Sequence, residues 1–212
     1  PEAIARYVPY LDIIGTGCYT EYVHQPRSWV RWRIETQIEA IERAGFTVGR
    51  DYLHGQRVPI GVLMMFYEEG NFGVITAVEA YHDFYSAICA GARGIFIFSY
   101  WHKRDTAPLQ ETYEAYAKAA GEISGPEQLG KVFLFGEPYS GAGFQVTSGP
   151  AMGAPFKPYG YDHELRYPSV NVRALKWNGD LYVLAVSSAE QGIKGHLTGL
   201  PEGATEAQAL FE

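Results

Sequence analysis

Cysteine is scarce in this chain, and long apolar runs are missing. The 212 residues include only two cysteines, Cys18 and Cys89. Two are too few for a disulfide framework, and their spacing matches no zinc motif, so we expect both thiols to be free and buried. No apolar run reaches the ~20 residues that a membrane-spanning helix needs, and we expect no membrane partner.

Charge and short functional motifs are also sparse. Charged residues make up 19% of the chain, the formal net charge is −7, and no Lys/Arg cluster occurs. Nucleic acid and anionic membranes are therefore not expected partners. There is no phosphate loop, no nucleophile elbow and no metal motif, and the six histidines are dispersed. We expect neither a metal nor a cofactor.

Hydrophobic and aromatic residues are abundant by contrast. Hydrophobic residues account for 47% of the chain, which suits a globular fold with a substantial core. Aromatic residues account for 15%, including 16 tyrosines. This fraction suits a ligand that stacks on rings, such as a sugar, and it equally suits a tyrosine-rich core and surface. The first seven residues do not resemble a signal peptide but the end of a helix, as if the chain began within a domain.

The first 124 residues alternate between apolar runs and helical patterns. Such alternation is typical of parallel strands joined by helices. The predicted strands are residues 10–15, 59–67 and 94–100, and the helices that follow them are residues 28–44, 74–89 and 108–123. Ser28 is expected to cap the first helix, and Gly45 to end it.

Aromatic and polar residues follow two of these strands. Tyr100, Trp101 and His102 come at the end of the third strand. Because parallel α/β folds bind ligands beyond the carboxyl ends of their strands, these side chains are in a position to touch a substrate. Tyr19, with Glu21 and His24 nearby, lies in the loop after the first strand. These residues either line a cleft or are ordinary loop residues.

The rest of the chain has a different pattern. From about residue 131 onward we expect an antiparallel sheet, which begins with the apolar run 131–135. Two runs of period two flank Asn178-Gly179, a strong signal for a two-residue hairpin. Further candidate strands lie at 193–197 and 207–211. We place a boundary between 124 and 129, which gives a domain over residues 1–127 and a second, antiparallel β-sandwich domain over residues 128–212.

This order of parts resembles the C-terminal part of a (β/α)8-barrel glycoside hydrolase with its appended β-sandwich. Residues 12–19, 59–66 and 91–100 resemble the sixth, seventh and eighth barrel strands. Residues 178–186, with Gly199-Leu200-Pro201, resemble the terminal domain of such enzymes. The resemblance implies an α/β partial (β/α) barrel of about three βα units, followed by an all-β antiparallel sandwich.

The resemblance also implies where chemistry would occur. In the large clan of retaining barrel glycosidases, the acid/base residue follows strand four, which this chain lacks, and the nucleophile lies on strand seven. Glu68 and Glu69 stand where that nucleophile would be, and at most one of two adjacent strand residues faces the barrel. The alternative is a solvated acidic pair at the end of the strand. The preceding Met64-Met65-Phe66-Tyr67 departs from the family's small-residue pattern. Trp101 matches a residue that forms the floor of a sugar subsite, and its alternative is a rim residue packed under a loop.

The expected function is therefore that of a glycoside hydrolase fragment that acts on an oligosaccharide or polysaccharide and is inactive alone. A non-catalytic carbohydrate-binding module and an assembly module are the alternatives. A full barrel has eight βα units, and only about three are present here. Uncovered sheet edges and an uncovered interior favour association, so we expect self-association through the open barrel edge.

Overall fold

The computed structural model describes residues 1–99, 106–204 and 206–210. Its helices are α1 (Glu2–Ala5), α2 (Ser28–Arg43), α3 (Ala77–Cys89), α4 (Gln110–Ser124) and α5 (Leu129–Phe135). Its strands are β1 (Ile13–Cys18), β2 (Thr47–Val48), β3 (Gln56–Met64), β4 (Gly94–Phe98), β5 (Glu137–Pro138), β6 (Gly143–Ser148), β7 (Val170–Trp177), β8 (Asp180–Ser187) and β9 (Lys194–Thr198). None of the helices within these ranges is long and apolar enough to cross a membrane.

A parallel sheet forms the centre of the first half of the chain. Strand β3 lies in the middle, with β1 paired along one side and β4 along the other. The short strand β2 pairs with the first two residues of β3. Helices α2 and α3 pack on this sheet, and α4 packs on α3. The predicted alternation of strands and helices in this region is confirmed by these elements.

Local signals explain where the helices begin and end. Thr76 caps α3, since its hydroxyl accepts from the backbone N–H of Glu79 while the Glu79 carboxylate accepts from the N–H of Thr76. Gly45 follows α2 in the left-handed conformation with φ +83°, which glycine adopts without strain. The prediction that Ser28 caps α2 is wrong. Ser28 is the first helical residue, and its hydroxyl is buried without a partner among the described residues.

The second half of the chain contains antiparallel strands. Strands β7 and β8 pair over their full length around Asn178 and Gly179, which have φ of 52° and 92°. Positive φ at both positions is the geometry of a type I′ turn, so the hairpin prediction is confirmed. Strand β5 pairs with β7, and β6 pairs with β9, which matches the candidate strand at 193–197.

Two predictions for this half are wrong. The run 131–135 is not a strand but most of helix α5, whose buried Leu129, Val132 and Phe133 follow helical spacing. Residues 207–210 form no strand. A five-residue apolar run such as 131–135 fits a helix and a strand equally well, and packing on α4 and β7 selected the helix.

The two halves share a core, because Leu175 of β7 and Val186 of β8 belong to the same buried cluster as Leu63 of β3.

One guanidinium connects the loop after β1 to helix α3. Arg27 donates to Glu21 at 2.7 Å, to Glu79 at 2.6 Å and to Asp83 at 2.9 Å. The Asp83 side chain is only 1% exposed, so its charge depends on this partner. Burial raises the pKa of Glu79, but hydrogen bonds from Thr76 and the charge of Arg27 outweigh burial and lower it overall. We call Arg27, Glu21, Glu79 and Asp83 the Arg27 ion cluster.

The cluster continues to the antiparallel half through a histidine. His82 contacts the second oxygen of Asp83 through Nδ1 at 2.9 Å and the Ser188 hydroxyl through Nε2 at 3.0 Å. A neutral ring that donates from Nδ1 and accepts at Nε2 satisfies both contacts. Ser188, His82 and Asp83 form a Ser-His-Asp chain, but the Asp83 carboxylate is already paired with Arg27. We therefore assign it a structural role.

We expect both thiols to resist modification in the folded protein. Cys18 and Cys89 are free and buried, and burial raises the pKa of each to about 12. Because the thiolate is the reactive form, a disulfide reagent at mildly alkaline pH should modify neither residue. Both should react in concentrated guanidinium chloride, which serves as the control. Rapid native-state reaction would contradict the burial of these side chains.

We expect Arg27→Gln to destabilise the fold strongly. Loss of the Arg27 guanidinium leaves Asp83 buried without a cation, which typically lowers the free energy of unfolding by about 3–5 kcal/mol. The matched control is Arg43→Gln, which breaks the exposed Arg43–Glu39 pair and should cost less than about 1 kcal/mol. Urea unfolding measures both variants. Adding Asp83→Asn to Arg27→Gln should restore part of the stability, and equal losses for the two arginine variants would contradict the assignment.

Candidate functional site

The parallel sheet turns one face toward the helices and the other away from them. A Cβ atom at Gly61 would lie 3.0 Å from Ala87 of α3 and 3.7 Å from Ile34 of α2, so this side of β3 faces the helices. A Cβ at Gly15 or Gly94 would instead meet Ile60, on the other side. We call this second side the inner face; the strand register places on it Ile13, Gly15, Gly17, Val58, Ile60, Val62, Met64, Gly94, Phe96 and Phe98.

The inner face is apolar and largely open. Phe96 is 54% exposed, Ile13 is 51% exposed and Phe98 is 39% exposed. Burial of apolar side chains lowers the free energy, so the exposed Ile13 of β1 and the exposed Phe96 and Phe98 of β4 make this face a candidate contact surface. The glycines at 15, 17 and 94 let neighbouring side chains lie close to the sheet, because a Cβ atom would lie 2.7 Å from the Tyr19 ring at Gly17 and 3.1 Å from Ile60 at Gly15 and at Gly94.

Five aromatic residues gather at the carboxyl end of the sheet. The aromatic cluster consists of Tyr19, Tyr22, Phe66, Phe72 and Phe98, drawn from the segments that follow β1 and β3 and from the end of β4. The ring of Phe66 lies at its centre, 5.3 Å from Tyr19, 5.5 Å from Phe72 and 6.0 Å from Phe98, all edge to face. Edge-to-face contacts are favourable for aromatic rings, so the cluster is a rigid platform.

Parts of this platform face solvent. Tyr22 is 51% exposed and packs edge-on against Phe72 with ring centroids 5.5 Å apart. Tyr19 stacks with Phe98 at 6.0 Å and 21° between ring planes. Burial raises the pKa of Tyr19, so its phenol stays protonated and retains a hydrogen-bond donor at neutral pH. An apolar ring surface beside phenolic hydroxyls suits a ligand that has both an apolar face and hydroxyl groups.

The Arg27 ion cluster fixes the loop that carries the two tyrosines. Arg27 donates to the hydroxyl of Thr20 and to the carboxylate of Glu21, the two residues between Tyr19 and Tyr22. Since the same guanidinium is bound to α3 through Asp83, the loop is anchored to the helix that follows β3. Glu21, for which cleft lining and an ordinary loop position were the two alternatives, is engaged in an ion pair.

Glu68 and Glu69 do not lie at a strand end as predicted. Strand β3 ends at Met64, and the two glutamates follow in an exposed turn. The backbone of Glu68 pairs with Phe72 in both directions, and its carboxylate accepts from the Asn71 side chain at 3.1 Å. The prediction extended the strand because the apolar run continues through Tyr67. The alternation argument for choosing between the two carboxylates therefore does not apply.

The other predicted residues have different outcomes. Tyr19 lies in the aromatic cluster. Tyr100, Trp101 and His102 lie outside the described residues, immediately after Ser99. Within the described ranges no group of three or more His, Cys, Asp or Glu side chains could hold a metal ion.

Sequence reasoning missed five residues that build the site: Tyr22, Phe66, Phe72, Phe98 and Arg27. The position of two phenylalanines could have been predicted from the sequence. Phe66 and Phe98 lie near the carboxyl ends of adjacent predicted strands, where parallel strands bring side chains together. Arg27 carried no such signal. Its partners lie up to 56 positions away in the chain, and no spacing rule connects them.

Comparison of this chain with protein-family models, with curated proteins and with solved structures finds no match.

Proposed function

We propose that this chain is the C-terminal part of a (β/α)8-barrel glycoside hydrolase followed by an antiparallel β-sandwich, and that it contributes one wall of a carbohydrate cleft. The observation that carries this proposal is the aromatic cluster at the carboxyl end of three parallel strands whose inner face is open. Ligands of parallel α/β barrels bind at that end of the strands.

The geometry of the sheet supports the barrel interpretation. Three consecutive parallel strands have their connecting helices on one side, and the opposite side presents Ile60, Val62 and Phe96, the apolar residue types that fill a barrel interior. In the sequence, Tyr100, Trp101 and His102 follow directly after Phe98 and Ser99. In the proposed cleft, Trp101 supplies a sugar-stacking ring, and Tyr100 and His102 bind hydroxyl groups.

The carboxylates favour a non-catalytic role for the chain alone. A glycosidase needs two carboxyl groups about 5–10 Å apart across the scissile bond. Glu68 and Glu69 are neighbours in one turn, and Glu68 already stabilises that turn through Asn71 and Phe72. The second candidate function is therefore a carbohydrate-binding module that does not hydrolyse its ligand.

We expect weak sugar binding without turnover. Half a cleft should bind oligosaccharides with a dissociation constant of about 1 mM or weaker, which corresponds to ~4 kcal/mol. Removing a stacking ring, as in Tyr22→Ala or Trp101→Ala, should weaken binding roughly two- to tenfold. Ligand-observed NMR measures binding, and a panel of aryl glycosides measures turnover.

The matched control is Tyr159→Ala, which removes a fully exposed tyrosine outside the aromatic cluster. Binding that is unchanged in both Tyr22→Ala and Trp101→Ala would refute the cleft. Turnover that disappears in Glu68→Gln or Glu69→Gln would show instead that the chain is catalytic by itself.

We expect the chain to self-associate when it is studied alone. The inner face exposes Phe96, Phe98 and Ile13, and burying apolar surface contributes ~25 cal/mol per Å². Sedimentation at micromolar concentration should show a dimer or a larger species, and Phe96→Thr should shift the equilibrium toward monomer. Leu53→Thr is the control, because Leu53 is 94% exposed and lies outside the inner face. A wild-type chain that sediments as a monomer would refute this expectation.

A further inference from the structure

A cavity of about 450 Å³ lies near the amino-terminal end of β3, away from the aromatic cluster. One side is formed by the segment after β2, which includes Arg50, and by Gln56 at the start of β3. The other side is formed by Arg93 and by Leu134 and Phe135 at the end of α5. The cavity therefore lies between the parallel sheet and helix α5, which precedes the antiparallel strands.

Its two arginines are held in place by different contacts. The guanidinium of Arg50 lies 4.9 Å from the centre of the Phe135 ring, a cation–π distance. Arg93 donates through Nη1 to the carbonyls of Phe133 and Leu134, the latter at 3.1 Å. Its Nε is buried and has no hydrogen-bond partner among the described residues. The two carbonyl contacts hold the Arg93 guanidinium at the cavity wall.

A third arginine lies near the second. Arg173 of β7 donates to the carbonyl of Ile88 at 2.6 Å. Burial and, to a smaller degree, the charge of Arg93 lower the pKa of Arg173 to about 10. Burial also lowers the pKa of Arg93. Both guanidiniums therefore lose hydration, and Arg173 also experiences repulsion from its neighbour.

Arg50, Arg93 and Arg173 form no ion pair in the part of the chain that the structure describes, whereas Arg27 binds three carboxylates. Asp51 also lines the cavity, and its carboxylate contacts the ring and accepts from the backbone N–H of His54, at 2.6 and 3.2 Å. The lining therefore holds two guanidiniums and one carboxylate, which is an excess of positive charge. Arg93 is partly buried without an ion-pair partner among the described residues, and an anion would relieve that cost.

We propose that this cavity binds the phosphate group of a small organic phosphate. Guanidinium groups form short, charge-assisted hydrogen bonds with phosphate oxygens, and Arg50 and Arg93 supply such donors from two sides. Leu134 and Phe135 offer an apolar wall for the organic part of the ligand. The site is separate from the proposed carbohydrate cleft, so it stands whether or not the chain binds sugars.

The test uses inorganic phosphate and phenyl phosphate as probes at constant ionic strength. Isothermal titration and the melting temperature should both show saturable binding to the wild-type chain, with phenyl phosphate bound more tightly because its ring packs on the apolar wall. A ligand that binds only the folded state raises the melting temperature with concentration. Absence of saturable binding by both probes overturns the proposal.

Two variants distinguish phosphate binding in the cavity from nonspecific attraction to any arginine of the protein. Arg50→Ala removes an exposed side chain, should fold normally, and should weaken phenyl phosphate binding about tenfold or more. Arg166→Ala removes an exposed arginine that does not line the cavity and should leave binding unchanged. Equal effects of the two variants, or unchanged binding in Arg50→Ala, overturn the proposal. Arg93→Lys, which keeps the charge but removes the Nε donor, should also weaken binding.

Discussion

The ion pair between Arg27 and Asp83 is the contact on which the carboxyl end of the sheet depends. Asp83 lies almost completely out of water, so its charge is tolerated only beside the guanidinium. The same guanidinium holds Thr20 and Glu21, and through them the two tyrosines of the aromatic cluster. Through His82 and Ser188 the contact extends to the end of β8. One charge pair therefore connects a loop, a helix and the end of β8.

The two faces of the parallel sheet differ in how far their side chains are buried. On the helical face, Gly61 lets β3 approach α3 closely, and the side chains of Ile34, Leu63 and Ala87 are completely buried. On the inner face, Phe96 and Phe98 remain exposed. A face that is closely packed needs no partner, whereas an open apolar face does, because exposed apolar area costs free energy. The proposed barrel and the proposed self-association are two ways to satisfy this requirement.

The arginines of this chain divide into two groups. Arg27 is buried among carboxylates, and its electrostatics are balanced within the molecule. Arg93 and Arg173 are buried against backbone carbonyls at the ends of α5 and α3. Carbonyl dipoles at a helix end carry only about half a unit of negative charge, so these two guanidiniums remain incompletely compensated. The two ends of the sheet therefore differ, since one end presents aromatic rings and the other presents guanidinium groups.

Much of the secondary structure was determined by the sequence itself. The apolar runs at β3 and β4 predict strands because each is short and lies between two helical patterns. The expectation that such a strand is buried on both faces fails at β4, where Phe96 is 54% exposed. Asn178-Gly179 predicts its hairpin because both residues tolerate positive φ. These are local properties, each decided within a few residues.

Only the tertiary structure decided the rest. The run 131–135 became helical because α4 and β7 pack against it, and the end of β3 at Met64 moved both glutamates into a turn. The aromatic cluster and the Arg27 ion cluster combine side chains from segments far apart in the chain. Such convergence depends on how the elements pack, and hydrophobic periodicity contains no information about which distant side chains will meet.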